Sequence, residues 1–276
     1  MICEKISLKS QFPFLGENGN DPVVSVYLPE PMYEMGWGEK KRPCLVICPG
    51  GGYGMVSQRE AEPIALHFLQ DGYNVFVLNY SVAPRRFPTQ LREVAALMEL
   101  IHSRAQQWHC DTEHVAIMGF SAGGHLAAHY SNSYDIPEVR AVFPDSKPVQ
   151  ASILCYPVIS ADPEIAHRGS FCNLLGMDSF CPETAAKYSC EKLVSDRTPP
   201  AFLWHTAADG GVPVANSLVY AQALAERKIP FALRVYPYGH HGLATVDLLT
   251  NHAIAPEVSQ ATAWLQDARV FLQNLF

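Results

Sequence analysis

Gly119-Phe120-Ser121-Ala122-Gly123 sets a serine between two glycines, each two residues away. The run before it, Val115 to Met118, is apolar and strand-like, and the residues from His125 to Ala128 continue as a helix would. A serine on a sharp strand-to-helix turn takes a strained backbone, so the positions two before and two after must lack bulk. Its neighbouring amides then lie at a helix N-terminus, where unpaired N–H groups and the dipole favour developing negative charge. The chemistry this suits is nucleophilic acyl transfer. The bland alternative is a serine that only caps the helix, and the five residues alone do not separate the two.

A serine hydroxyl needs a base, normally a histidine held in one tautomer by a carboxylate. On a strand–elbow–helix unit the chain order is serine, then acid, then histidine. Asp209 follows the strand-like Ala201–Thr206, and His241 follows the strand-like Phe231–Tyr236. Asp162 and Asp178 lie in an irregular stretch, Asp247 comes after the histidine, and Asp196 precedes its strand. His241 is preferred to His240 because Gly242 lets the backbone turn immediately after it. His125 and His129, four apart on the elbow helix, have no third ligand in view and read as packing or surface residues. His205, inside a strand, reads as a core histidine.

Gly50-Gly51-Gly52 ends the apolar run Cys44–Cys48. A tetrahedral oxyanion needs N–H donors about 2.7–3.1 Å away, and glycines let a backbone approach that closely. Gly51, Gly52 and the amide of Ala122 are the expected oxyanion hole. The glycines match neither G-x-G-x-x-G nor a G-K-[ST] ending, so a nucleotide site is not expected.

The elements that must position these groups alternate strand and helix. Strands are expected at Val23–Leu28 (edge or near-edge), Cys44–Cys48, Tyr73–Leu78, the elbow strand, Ala151–Tyr156, Ala201–Thr206 and Phe231–Tyr236. Helices are expected from a Ser57-x-x-Glu60 capping box to Gln70, over Thr89–Gln107, after Ser121, over Val214–Arg227 and from Pro256. This is an α/β fold with a mostly parallel central sheet and helices on both faces, in a single domain over 1–276. Residues 159–200 lack periodicity and read as a lid or cap insertion. In open sheets of this kind the ligand site lies beyond the carboxyl ends of the strands, where Ser121, Asp209, His241 and the glycine loop all fall.

Composition narrows the function. The chain has 48% hydrophobic and 17% charged residues, which suits a substantial core. The net charge of −7, with no long basic run, argues against nucleic acid. No stretch suits a membrane span, and the N-terminus lacks a signal-peptide pattern. Cys44, Cys48 and Cys155 read as reduced core thiols, while Cys172, Cys181 and Cys190 match no metal spacing. The expectation is a cytoplasmic protein with no metal and no cofactor, and the sequence carries no readable oligomerisation signal.

Four segments together resemble the α/β-hydrolase serine esterases. They are Pro49-Gly-Gly-Gly-Tyr53, Gly119 to Ala127, His205-Thr-Ala-Ala-Asp-Gly-Gly-Val-Pro-Val214 and Gly239-His-His-Gly-Leu243. They are most similar to the bacterial acetyl-esterase and xylan-esterase-like branch, related to the hormone-sensitive-lipase group. The resemblance implies carboxylester hydrolysis with Ser121 as nucleophile, His241 as base and Asp209 as its orienting acid. The partner it implies is a small acyl ester, such as an acetylated sugar. Where the wider lipase group has a histidine before the glycines, this chain has Pro49, so a stiff proline is expected to hold the loop. Tyr53, Phe171, Leu174 and Leu175 are expected pocket walls. Two other readings share the elbow: a prolyl-oligopeptidase-like peptidase, for which the chain lacks room for a gating domain, and a non-catalytic receptor, in which the base is usually lost.

Overall fold

The structure, a computed structural model, describes residues 1–16 and 21–276. Its strands are β1 (Ile2–Ser7), β2 (Val23–Leu28), β3 (Arg42–Cys48), β4 (Asn74–Asn79), β5 (Cys110–Phe120), β6 (Ala151–Cys155), β7 (Ala201–Thr206) and β8 (Phe231–Tyr236). They form one eight-stranded sheet in the order β1-β2-β4-β3-β5-β6-β7-β8. From β4 across to β8 every pairing is parallel, while β1 and β2 join antiparallel at one edge. The fold is that of an α/β hydrolase. Strand β1 has no counterpart in the sequence expectation, because Ile2–Ser7 mixes charged and apolar residues on an exposed edge. It makes Val23–Leu28 the second strand.

The parallel strands are apolar throughout because helices cover both faces. Helices Glu62–Leu69 and Ala263–Gln273 pack Ile64, Phe68, Trp264 and Leu272 against one face. Helices Thr89–Ser103, Ala122–Ser133 and Ala215–Glu226 pack Val94, Leu97, Leu126 and Leu224 against the other. Among the described residues, no helix is long and apolar enough to cross a membrane.

Several strand boundaries and that of the helix after Pro213 shift by one or two residues, and three helices differ more from expectation. The helix from Thr89 stops at Ser103 rather than Gln107, and the chain from Pro256 runs as a 3-10 turn before the α-helix begins at Ala263. The capping box at Ser57 does not form: Ser57 makes no capping hydrogen bond and Gln58–Glu60 is a 3-10 turn. The Glu60 carboxylate turns inward instead, and its tertiary partners outcompete the local bond. Within 159–200 the chain folds a helix, Arg168–Leu175, and short turns, with Ile159, Phe171, Ala185 and Cys190 buried.

The glycines around Ser121 are required by contact. A Cβ on Gly119 would lie 2.1 Å from the carbonyl of Gly123, and one on Gly123 would lie 2.0 Å from that of Cys48. Both obstacles are backbone, which cannot rotate away. Gly123→Ala is therefore expected to lower folding stability by about 3 kcal/mol, the upper range for overpacking. Chemical denaturation of the purified variant measures it.

Candidate active site

The carboxyl end of β5 delivers Ser121 at φ 51°, ψ −118°, a conformation imposed by the turn into the elbow helix. Its N–H donates to the Cys155 carbonyl (3.0 Å), and its own carbonyl accepts from Val158 (3.0 Å) and His125 (3.1 Å). The backbone is thus held on both sides while the side chain is left for other work.

Beyond β7, Asp209 Oδ1 accepts the N–H groups of Gly211 (2.8 Å) and Val212 (2.9 Å), which fixes the carboxylate plane. Oδ2 accepts from His241 Nδ1 (2.8 Å) and faces His205 Nε2 at 3.3 Å. Because a carboxylate can only accept, His241 carries its proton on Nδ1 and its Nε2 accepts from the Ser121 hydroxyl (2.8 Å). Burial pushes the Asp209 carboxyl up, but the hydrogen bonds from His205 and His241 and the charge His241 carries when protonated outweigh it and hold it well below the usual carboxylate range. Gly211 has to be glycine, since a Cβ there would sit 2.9 Å from the His241 Cβ. Neighbouring His240 is exposed and donates to the His241 carbonyl.

Ser121 and His241 open into a cavity of about 350 Å³, walled by Gly51, Gly52, Met55, Arg59, Glu60 and His167 among others. Gly51 and Gly52 have φ of 124° and 64°, and a Cβ on Gly51 would meet the Met55 carbonyl at 2.2 Å. The N–H groups of Gly51, Gly52 and Ala122 have no hydrogen-bond acceptor among the described residues.

Side chains brace the glycine loop in addition to the stiff Pro49 expected from the sequence. Tyr80 OH donates to the Pro49 carbonyl (2.6 Å), and the Gly50 N–H donates to Glu60 Oε2 (2.8 Å). Glu60 Oε1 also accepts from Tyr156 OH (2.7 Å), whose ring packs edge-on to His241 at 5.1 Å. One buried carboxylate therefore ties the glycine loop to the ring that backs His241.

The expected pocket walls are not where the cavity is. Tyr53 is buried, with its hydroxyl donating to His125 Nδ1 (2.9 Å), and Phe171 and Leu174 are core residues. Leu175 is partly buried against the core. The residue of 159–200 that does reach the cavity is His167. Its Nδ1 accepts from Ser170 N–H (3.3 Å) as an N-cap, which leaves the proton of the neutral ring on Nε2. Burial, then the charge of His241 when it is protonated, push this imidazole below its ordinary value, with Asp209 opposing. A single histidine in an aperiodic stretch gave no signal in the sequence. His125 is buried with Nε2–H donating to the Tyr188 carbonyl (2.8 Å), and His129 stacks on Phe87 at 5.5 Å. His205 is a core histidine, but its contact with Asp209 gives it a part in the site.

This geometry can be set beside known proteins. The BD-FAE family model matches residues 31–224, the larger part of the chain. The chain belongs to the BD-FAE family. The prolyl oligopeptidase family model also matches, over residues 181–268, the segment that carries Asp209 and His241. This BD-FAE chain is 38% identical to endo-1,4-beta-xylanase B of Butyrivibrio fibrisolvens over 88% of its own length and 38% of that protein. It is 35% identical to the acetylxylan esterase of Xylanibacter ruminicola, over 72% of its length and 40% of that protein's. It thus spans about two fifths of these two relatives. Among solved structures, an acetyl ester-xyloside bifunctional hydrolase from Caldicellulosiruptor lactoaceticus superposes with TM-score 0.83 at 31% identity, covering 98% of this chain and 96% of that one.

Proposed function

We propose that this BD-FAE member is a serine carboxylesterase that removes short acyl groups, acetyl above all, from sugars or xylan-derived oligosaccharides. The observation that carries it is the unbroken hydrogen-bond line from Ser121 through His241 to Asp209, beside three unengaged amides. In this reading the Ser121 hydroxyl attacks the ester carbonyl as His241 Nε2 takes its proton. Gly51, Gly52 and Ala122 donate to the oxyanion. His241 then returns the proton to the leaving alcohol, and water, deprotonated by the same ring, releases the acid. Residues 159–200 act as a cap that contributes His167 to the wall. No cofactor or metal enters the steps. The eight unpaired cysteines, four of them in the sheet core, support a reducing, cytoplasmic setting. The sugar preference draws on the acetylxylan esterase and xyloside hydrolase relatives.

Chain-length profiling with p-nitrophenyl esters, alongside acetylated xylooligosaccharides, tests this. The expected result is fastest turnover of the acetate and release of acetate from the sugar. Preference for long acyl chains, or cleavage of aminoacyl-proline amides in place of esters, would redirect the assignment.

The brace at Glu60 gives a second expectation. Glu60→Ala strips the acceptor from two buried donors, Gly50 N–H and Tyr156 OH. It should cost about 2–4 kcal/mol of stability, and about 10²-fold in kcat through loss of loop position. Thermal melting and p-nitrophenyl acetate turnover read the two effects separately, and Glu60→Gln, which keeps one acceptor, should fall between.

A further inference from the structure

Beyond the cavity at Ser121 lies a second one of about 610 Å³, walled by Leu248, Leu249, Thr250, Asn251 and His252, and Arg59 lines both. A Cβ on Gly242 would lie 3.1 Å from Arg59 Nη2, so the guanidinium rests against the backbone that immediately follows His241. Arg59 is exposed and forms no ion pair among the described residues, unlike Arg140, Arg197, Arg227, Arg234 and Arg269.

The neighbouring acids are already engaged. Glu60 points inward to Gly50 and Tyr156. Asp247 accepts from the Thr245 hydroxyl (2.6 Å) and Leu249 N–H (3.0 Å) and faces His67 (3.5 Å). In a chain of net charge −7, the walls of these two cavities carry Arg59, His167, His241 and His252, and Glu60 as the sole acid among the described residues. A guanidinium fork without a partner matches a carboxylate in two parallel hydrogen bonds. Leu248 and Leu249, 76% and 57% exposed, offer an apolar shelf beside it.

The direction of the reaction says which part of the ester would reach Arg59. His241 must hand its proton to the leaving oxygen, so the alcohol departs past His241, the side on which Arg59 lies. Resting on the esterase reading above, we infer that the cleft continues into a subsite for a carboxylate on the alcohol part. Arg59 would be its specificity-determining residue. The substrate class is an acetylated sugar acid, with a hexuronate carboxylate on Arg59 and the ring's C–H face on the leucines.

The test compares kcat/KM for a monoacetylated methyl hexopyranoside and for the same sugar oxidised to the hexuronate. The ratio is taken within each protein, so that any general loss cancels. The wild type should favour the acid by about 10-fold, the scale of one charge-assisted hydrogen bond. The preference should lie in KM and shrink in about 1 M salt, where the Debye length falls to about 3 Å. Arg59→Gln should bring the ratio near one, and Arg59→Lys should keep part of it. A wild-type ratio of one or less, an unchanged ratio in Arg59→Gln, or a preference for acid-bearing acyl groups such as hemisuccinates would overturn the inference. Calorimetric binding of the free hexuronate to wild type and Arg59→Gln decides the subsite without turnover. If p-nitrophenyl acetate is not cleaved, the esterase reading falls, while binding lost in Arg59→Gln still upholds the carboxylate site and binding unchanged in it rejects that site.

Discussion

Ser121→Ala should lower kcat/KM on p-nitrophenyl acetate by about 10⁴-fold or more, the scale seen when a triad nucleophile is removed. The effect should be chemical and not structural. Among the described residues the hydroxyl's one side-chain partner is His241, and the backbone bonds that hold residue 121 belong to its N–H and carbonyl. The positive φ at 121 strains alanine no more than serine, so the variant should melt close to the wild type. A small residual rate should survive, because the amides of Gly51, Gly52 and Ala122 remain to meet an oxyanion formed by direct attack of water. A fluorophosphonate probe gives an independent readout: it should label the wild type at Ser121 and leave the alanine variant unlabelled. A purified variant with full activity would place the nucleophile elsewhere, and an unlabelled wild type would favour a receptor on a hydrolase scaffold.

How much of this could be read from the sequence depends on whether a residue's role is set locally. The elbow was legible because the crowding that excludes side chains at Gly119 and Gly123 is a property of the turn itself. Asp209 and His241 were legible because each follows a strand, and parallel strands bring their carboxyl ends to one edge. Glu60 was not. Three residues after Ser57 it has a local pattern, and only the tertiary structure shows the carboxylate turned from that cap to Gly50 and Tyr156. Tyr53, Phe171 and Leu174 failed for a related reason: an apolar residue in a loop has the same composition whether it walls a cavity or fills the core. Here all three are buried. His167 and Arg59 reach the cavity from stretches in which neither periodicity nor spacing marks them. Side chains that act across the fold leave little trace in the pattern of their own segment.

Asp209→Asn changes almost no volume, and its expected effect is nonetheless about 10⁴-fold in kcat, as when a triad carboxylate becomes an amide. The reason lies in the donors around the side chain. Oδ1 takes the N–H groups of Gly211 and Val212, so the amide oxygen of an asparagine would keep that position. Its NH2 group would then face His241 Nδ1, which must accept instead of donate. The ring proton would move to Nε2, pointing at Ser121, and the base would have become a donor. The same NH2 would oppose His205 Nε2–H, now 3.3 Å from Oδ2 and shared with the Val212 carbonyl (2.9 Å), so stability should fall as well. Acid titration distinguishes this from a general loss. Because the folded protein holds the Asp209 carboxyl below its ordinary value, near 4, the stability it contributes is present above that pH and is lost as pH falls toward the lowered value. Asparagine has no proton to bind there, so the variant's stability should decline less steeply than the wild type's below about pH 4. Equal slopes for the two proteins, or an asparagine variant within tenfold of wild-type kcat, would mean that Asp209 does not orient His241.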